Sequence, residues 1–190
     1  LELPGLEFNR APGGAQEQSD GKDSMKNWSM ADVSAKKTTH RGAIATGRIR
    51  VGREAFERIR DRKMPKGDPI AMAEIAGIQA AKQTPSLIPL CHPISLNRVM
   101  IHSVLDEDDY AVELYCVAEI AEKTGVEMEA LTGLSVALLT IWDLTKPVNP
   151  ALEISGQKLL FKSGGKSGTW THPEGVPAAV QQILKELDLL

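Results

Sequence analysis

The sequence predicts an α+β sandwich of the ferredoxin-like class, a βαββαβ core with an antiparallel sheet and helices on one face. Three observations predict it. Segments of β-type and helix-type periodicity follow one another as β-α-α-β-β-α-β, with one further helix at the end. The two central β segments, 97–105 and 110–118, are separated only by the acidic run 106–109, the spacing of an antiparallel hairpin. The composition is 42% hydrophobic but only 4% aromatic, so the core is built from Ala, Val, Ile, Leu and Met, small residues that favour close helix–sheet packing.

Each element has its own signal. Residues 1–29 read as an unstructured tail, because Gly, Pro, Gln, Ser and Asp dominate 9–23 without periodicity, and the folded part starts near Met30. The segment 41–51, RGAIATGRIRV, mixes small and β-branched residues with alternating polar ones and reads as a strand ended by Gly52. Phe56 and Ile59 stand at helical spacing within 53–63, and Pro65 and Gly67 break that helix. Asp68 is a natural N-cap and Pro69 suits the first helical turn; the helix over 70–82 then gathers Ile70, Ala73, Ala76, Gly77, Ala80 and Ala81 on one side until Thr84-Pro85 stops it. LIPLCHPIS, 87–95, carries two prolines four residues apart and reads as a stiff extended loop. After the hairpin, Thr124-Gly125 precedes the strongest helix, 127–145, with Leu131, Leu134, Val136, Leu138, Ile141 and Trp142 expected in its core and Lys146-Pro147 at its end. A short strand over 158–161, a loop KSGGKSG over 162–168 and an amphipathic helix over 176–190 complete the chain. The domain reading is a tail to residue 29, a folded domain over 30–168 and a helical extension over 169–190.

Composition excludes several function classes. A net charge of −3 argues against a general nucleic-acid binder, and with three Phe and two Tyr, none clustered, the sheet has no aromatic platform for stacking bases. The longest apolar stretch, 134–142, is interrupted by Ser135 and Thr140 and is too short to span a bilayer. No basic start followed by an apolar run is present, and the two cysteines, Cys91 and Cys116, read as free reduced thiols, so a cytoplasmic setting is expected.

Five places carry candidate chemistry. In KSGGKSG, glycines let backbone N–H groups converge on an anion while Lys162 and Lys166 supply charge. It is not a P-loop, because the position of that motif's first glycine is Leu160 and no helix is evident after Gly168. Asp143 and Lys146 are three apart at a helix end, an ordinary surface ion pair unless they face a pocket, where they can share a proton-transfer task. Glu127 and Glu129 open a hydrophobic helix, which suits the helix dipole and equally suits the N–H donors of a guanine-like edge. Cys91-His92-Pro93 lacks a second Cys/His pair, so no metal site is read there, but a histidine in a stiff loop can serve as an acid/base or phosphate ligand. Lys66, in PKGD, stands just before a helix start that offers free N–H groups.

Taken together, DVSAK (32–36), KGD (66–68), AGIQAAK (76–82), LIPLCHP (87–93), KTGVEMEALT (123–132) and KSGGKSG (162–168) resemble, in order and interval, the MoaC family of molybdenum-cofactor biosynthesis proteins, the cyclic pyranopterin monophosphate synthases. The resemblance covers residues 30–168. It implies a homohexamer built as a trimer of dimers with active sites at the dimer interface. It implies as substrate (8S)-3′,8-cyclo-7,8-dihydroguanosine 5′-triphosphate, as products cyclic pyranopterin monophosphate and diphosphate, and no organic cofactor. By the resemblance Asp143, Lys146 and Lys66 are catalytic. Leu90, Cys91, His92, Met128 and Glu129 bind substrate, and Arg41, Glu127, Lys162 and Lys166 occupy further pocket positions. The chain departs from the family pattern at Trp142, where a tyrosine is usual, and at Pro147, where alanine is common. A non-catalytic nucleotide-binding subunit is the alternative, and the intact Asp143 and Lys146 argue against it.

Overall fold

The computed structural model describes residues 28–187 and 189. Its elements run β1 (Thr39–Arg50), α1 (Arg53–Arg60), α2 (Pro69–Lys82), α3 (Thr84–Leu87), β2 (Arg98–Asp106), β3 (Ala111–Glu122), α4 (Glu127–Thr145), β4 (Glu153–Ser163), β5 (Trp170–Thr171) and α5 (Ala178–Glu186). The five strands form one sheet in the order β2-β3-β1-β4-β5, and every pairing is antiparallel. The chain leaves β1, passes through three helices and lays down β2 one strand away; β3 turns back into the gap. From β3 it passes through α4 to β4 on the other side of β1. That interleaving is the ferredoxin-like arrangement the order of elements predicts.

The sheet has two buried faces. On one, Ala43, Ala45 and Ile49 of β1 and Leu114, Cys116, Ala118 and Ile120 of β3 meet Phe56 and Ile59 of α1, Ala73 of α2, and Ala130, Leu134, Leu138 and Ile141 of α4. Adjacent residues on a strand point oppositely, so Ile44, Tyr115 and Val117 face the other side, where Leu160, Phe161 and the α5 residues Val180, Ile183 and Leu184 cover them. The helices of the βαββαβ core therefore lie on one face, and α5, from the C-terminal extension, closes the other.

Small residues set the spacing of the helical layer. A Cβ at Gly77 of α2 would stand 2.9 Å from the carbonyl oxygen of Gly133 in α4, and a Cβ at Gly133 would stand 2.9 Å from that of Gly77. The two helices touch backbone to backbone, which only glycine at both positions permits. α2 starts where the sequence places it: Asp68 accepts from the N–H groups of Ile70 (2.9 Å) and Ala71 (3.2 Å), with Pro69 in the first turn.

Some boundaries differ from expectation. β4 runs over Glu153–Ser163, not 158–161, because Glu153, Ser155, Gly156 and Gln157 are exposed near the sheet margin and carry no apolar alternation. α1 ends at Arg60, and Arg62 follows in the left-handed region at φ 56. Thr84-Pro85 ends α2 but starts a short helix, since proline fits a first helical turn. Leu134, Leu138 and Ile141 are fully buried in α4, Leu131 and Trp142 pack at the margin of that core, and Val136 is half-buried. By length and composition α4 is the one described helix with the dimensions of a membrane span, yet it is the central packed helix of the domain. The tail expected over 1–29 lies, apart from Trp28 and Ser29, outside the described residues.

Candidate active site

Chemistry-bearing residues gather at the two ends of α4. At its N-terminal end a cleft opens in two lobes that share Gly125 and Glu127. The first lobe, about 150 Å³, is walled by Lys36, Arg41, Lys162 and Lys166 with the backbone of Gly42 and Gly164. Glu127 Oε1 lies 3.1 Å from Lys162 Nζ and is the carboxylate that partly offsets these cations. Arg41 has a structural task here. Its Nε and Nη2 donate to the carbonyl oxygens of Glu122 (3.0 Å) and Lys123 (3.2 Å), tying β1 to the link that enters α4. The glycine pair of KSGGKSG folds over it: Gly164 and Gly165 have φ of 90° and 71°, and a Cβ on Gly165 would fall 2.3 Å from Arg41 Nη1. Both glycines are needed for the left-handed backbone and for the close approach.

The second lobe, about 240 Å³, is lined by Ala31, Leu90, Cys91, His92, Ile94, Thr124, Met128 and Glu129. His92 Nε2 donates to the carbonyl oxygen of Ala31 at 2.8 Å, since a carbonyl can only accept, which leaves Nδ1 as the acceptor of a neutral ring. Glu129 is 3% exposed, and burial, with the charge of Glu127 adding to it, raises its pKa above the usual carboxylate range. Burial, with Glu129 adding, also raises the Cys91 thiol, so Cys91 is a neutral thiol wall and not an activated nucleophile. The segment 31–36 bridges the two lobes: Ala31 lines one and Lys36 the other, and Lys123 Nζ donates to the Ser34 carbonyl at 3.1 Å to hold the segment down.

At the C-terminal end of α4, Lys146 Nζ lies 2.7 Å from Asp143 Oδ1, and Lys66 Nζ lies 3.7 Å from Oδ2 and 3.5 Å from the Asp143 carbonyl oxygen. Lys66 reaches there because buried Met64 anchors its loop and Gly67, at φ 99, turns the chain back toward α2. The hydrogen bond and charge of Lys146, with Lys66 adding, hold the Asp143 carboxyl below its usual range. Two ammonium groups beside one carboxylate are suited to donating and accepting protons in turn. The cluster is open to solvent, with Asp143 58% and Lys146 52% exposed at the side chain.

The two groups are far apart. Sixteen residues of α4 separate Glu127 from Asp143, roughly 24 Å of helix. Met128 of the first group and Asp143 of the second nevertheless look outward along one stripe, while Glu129 is buried. Met128, Thr132, Ser135, Leu139 and Asp143 recur at helical spacing, and Met128, Leu139 and Asp143 are exposed.

The MoaC family model matches residues 30–165. The chain belongs to the MoaC family. Among similar curated proteins is a cyclic pyranopterin monophosphate synthase of Heliobacterium modesticaldum, 49% identical over 145 residues, 76% of this chain and 91% of the relative. Proteins of the same name from Thermomicrobium roseum and Rhodospirillum rubrum are 45% and 44% identical, covering 74% and 78% of this chain and 85% and 90% of their own lengths.

Within this MoaC chain the structure brings Arg41, Leu90, Cys91, His92, Glu127, Met128, Glu129, Lys162 and Lys166 together around one cleft, and Lys66, Asp143 and Lys146 around another point. Sequence reasoning read Arg41 as a pocket cation, and the structure shows its guanidinium also committed to two backbone carbonyls. It did not single out Lys36, although DVSAK carried the signal, nor Ile94, Thr124 and Ser163, which line the cleft through position alone. Cys91 and Cys116 are both free. Pro147 leaves the helix end intact: Lys146 keeps helical torsions, φ −53 and ψ −26, and its N–H bonds the Trp142 carbonyl.

Proposed function

We propose that this chain converts (8S)-3′,8-cyclo-7,8-dihydroguanosine 5′-triphosphate to cyclic pyranopterin monophosphate and diphosphate, in sites assembled from two protomers. Family membership and the relatives' shared name support the reaction. The single observation that supports the shared site is the placement of Met128, on the cleft, and Asp143, in the lysine cluster, along one outward stripe of α4 toward its opposite ends. One nucleotide is too short to touch Glu129 and Lys146 of the same helix. A two-fold partner laid antiparallel along that stripe brings the Asp143 end of one α4 to the Met128 end of the other. The exposed apolar residues Met72 and Ile75 on α2 and Leu139 on α4 are the contact such a partner would bury.

In this reading the first lobe takes the triphosphate, with Lys36, Lys162 and Lys166 neutralising its charge and Arg41 fixing the loop that bears two of them. The second lobe takes the purine. Its buried Glu129, with a raised pKa, can present a proton to a ring acceptor or accept from a ring N–H. The partner's end of α4 brings Asp143, Lys146 and Lys66 to the ring being opened and reclosed, where protons must move on and off carbon and nitrogen. A sugar-derived hydroxyl then attacks the α-phosphorus. The new P–O bond forms as the bond to the β-phosphate oxygen breaks, diphosphate leaves, and the hydroxyl proton passes to the solvent or a neighbouring base. Positioning and charge neutralisation dominate that step. The resemblance implies a homohexamer of three such dimers, and the free thiols of Cys91 and Cys116 fit a cytoplasmic setting; no nucleic-acid or membrane partner is required.

Incubating the native oligomer with the cyclised nucleotide tests the reaction, with diphosphate and the cyclic pyranopterin as readouts. No turnover by a correctly assembled sample refutes it.

A further inference from the structure

We infer that the C-terminal segment, residues 170–189, is a positioning element for the anion-binding loop 162–168 and sets how tightly its lysines hold the triphosphate. This rests on the reading of that loop as the triphosphate site. The segment lies beyond the family match, which ends at residue 165.

Three contacts carry the inference. First, the loop is closed at both ends. β5 pairs with β4 through Phe161 with Thr171 and Lys162 with Trp170, and the N–H of His172 donates to the Leu160 carbonyl at 2.8 Å. Without these bonds the chain after Ser163 would be a free end, and Lys166 would keep most of its conformational entropy until an anion ordered it. Second, the returning chain is fastened to the sheet. Lys158 of β4 pairs with Glu174, and Val180, Ile183 and Leu184 of α5 are buried against Ile44, Leu160 and Phe161, the last one residue before Lys162. Third, the segment reaches the floor of the anion lobe. Gly42 lines that lobe and is the register partner of Ser163. On the opposite face of the sheet a Cβ at Gly42 would meet the Leu189 Cδ atoms at 3.2 and 3.3 Å. Leu189 is itself 7% exposed, and its N–H donates to the Leu184 carbonyl at 3.1 Å. Gly42 therefore has the anion lobe on one side and Leu189 on the other. Arg41 presses the loop from the helical face, and α5 with Leu189 supports its root from behind.

The experiment uses inorganic tripolyphosphate as the probe, titrated calorimetrically into the full-length oligomer, alongside steady-state kinetics. Leu189→Ala removes the support and leaves β5 and α5 in place. The expected result is about five- to tenfold weaker tripolyphosphate binding and a matching rise in KM, because the loop must be ordered on binding, with kcat within about twofold of wild type. Leu189→Met restores both. Gly42→Ala, whose methyl displaces Leu189 by a few tenths of an ångström, shifts binding in the same direction and guards against a Leu189 variant that fails to assemble. A Leu189→Ala protein that melts earlier but binds tripolyphosphate and substrate like wild type overturns the inference, for the segment would then only cover the sheet. Lys162→Ala/Lys166→Ala is run in parallel. If it binds tripolyphosphate like wild type, the reading of the loop fails; if it binds weakly while Leu189→Ala does not, only the positioning role fails.

Discussion

Replacing Gly77 by alanine probes the contact that fixes where α4 lies. The new Cβ would sit 2.9 Å from the Gly133 carbonyl oxygen and 2.9 Å from Ile101 Cδ1. The isoleucine can turn aside, but the carbonyl belongs to the backbone of the central helix and cannot move alone. Propensity works the other way, since alanine gains about 0.5–1 kcal/mol over glycine inside a helix. Overpacking a close contact costs about 1–3 kcal/mol, so the net expectation is a loss of about 1–2 kcal/mol. For a chain of this size each kcal/mol lowers Tm by about 2–4 °C, which gives a drop of about 2–8 °C by calorimetry at fixed protein concentration. Gly133→Ala meets the Gly77 carbonyl at 2.9 Å and Cys116 Sγ at 3.0 Å and should cost a similar amount. Once the helices have separated for one methyl the second needs less room, so the double variant should lose less than the sum of the two. A Gly77→Ala protein as stable as wild type, or a double variant whose losses simply add, would refute the reasoning.

Other expectations follow from single groups. Glu129 has its pKa raised by burial, so the folded state binds its proton more tightly than the unfolded chain. Its contribution to stability is therefore present below the unfolded carboxylate range and is lost as pH rises through the raised value; Glu129→Gln should flatten that part of the stability–pH curve measured by urea denaturation, and an unchanged curve would speak against it. Asp68→Ala removes the two cap bonds of α2 and should cost about 1 kcal/mol in chemical denaturation. Lys146→Ala should lower single-turnover rates by about 10²–10⁴-fold while sedimentation shows an unchanged oligomer; retention of near-wild-type turnover would remove it from the chemistry.

The fold was legible where local signals agreed with the packing. Asp68-Pro69, the acidic turn at 106–109 and Lys146-Pro147 each mark an element end by backbone chemistry alone, and the structure places those ends within a residue or two. β4 was half-hidden because its first half is polar and exposed, leaving no alternation to count. The burial of α5 on the far face of the sheet was not readable, since an amphipathic pattern says that a helix has a partner but not which face it is. The site residues were legible as motifs, but their division between the two ends of α4 depends on which way each loop turns. Lys66 joins Asp143 because Gly67 takes a left-handed turn, and Arg41 bends inward to two carbonyls instead of outward to solvent. Neither choice is written in residue spacing.

The central claim, that each site draws its binding cleft from one protomer and its proton-transfer cluster from another, is tested most directly by mixing two inactive variants. Lys146→Ala protomers keep an intact cleft, and His92→Ala protomers keep an intact Asp143–Lys146–Lys66 cluster. Unfolded together and refolded as mixed oligomers, they should recover about a quarter of wild-type diphosphate release, because half of randomly paired dimers are mixed and each mixed dimer holds one complete site of two. Mixed oligomers that remain as inert as either parent at every ratio would contradict the account.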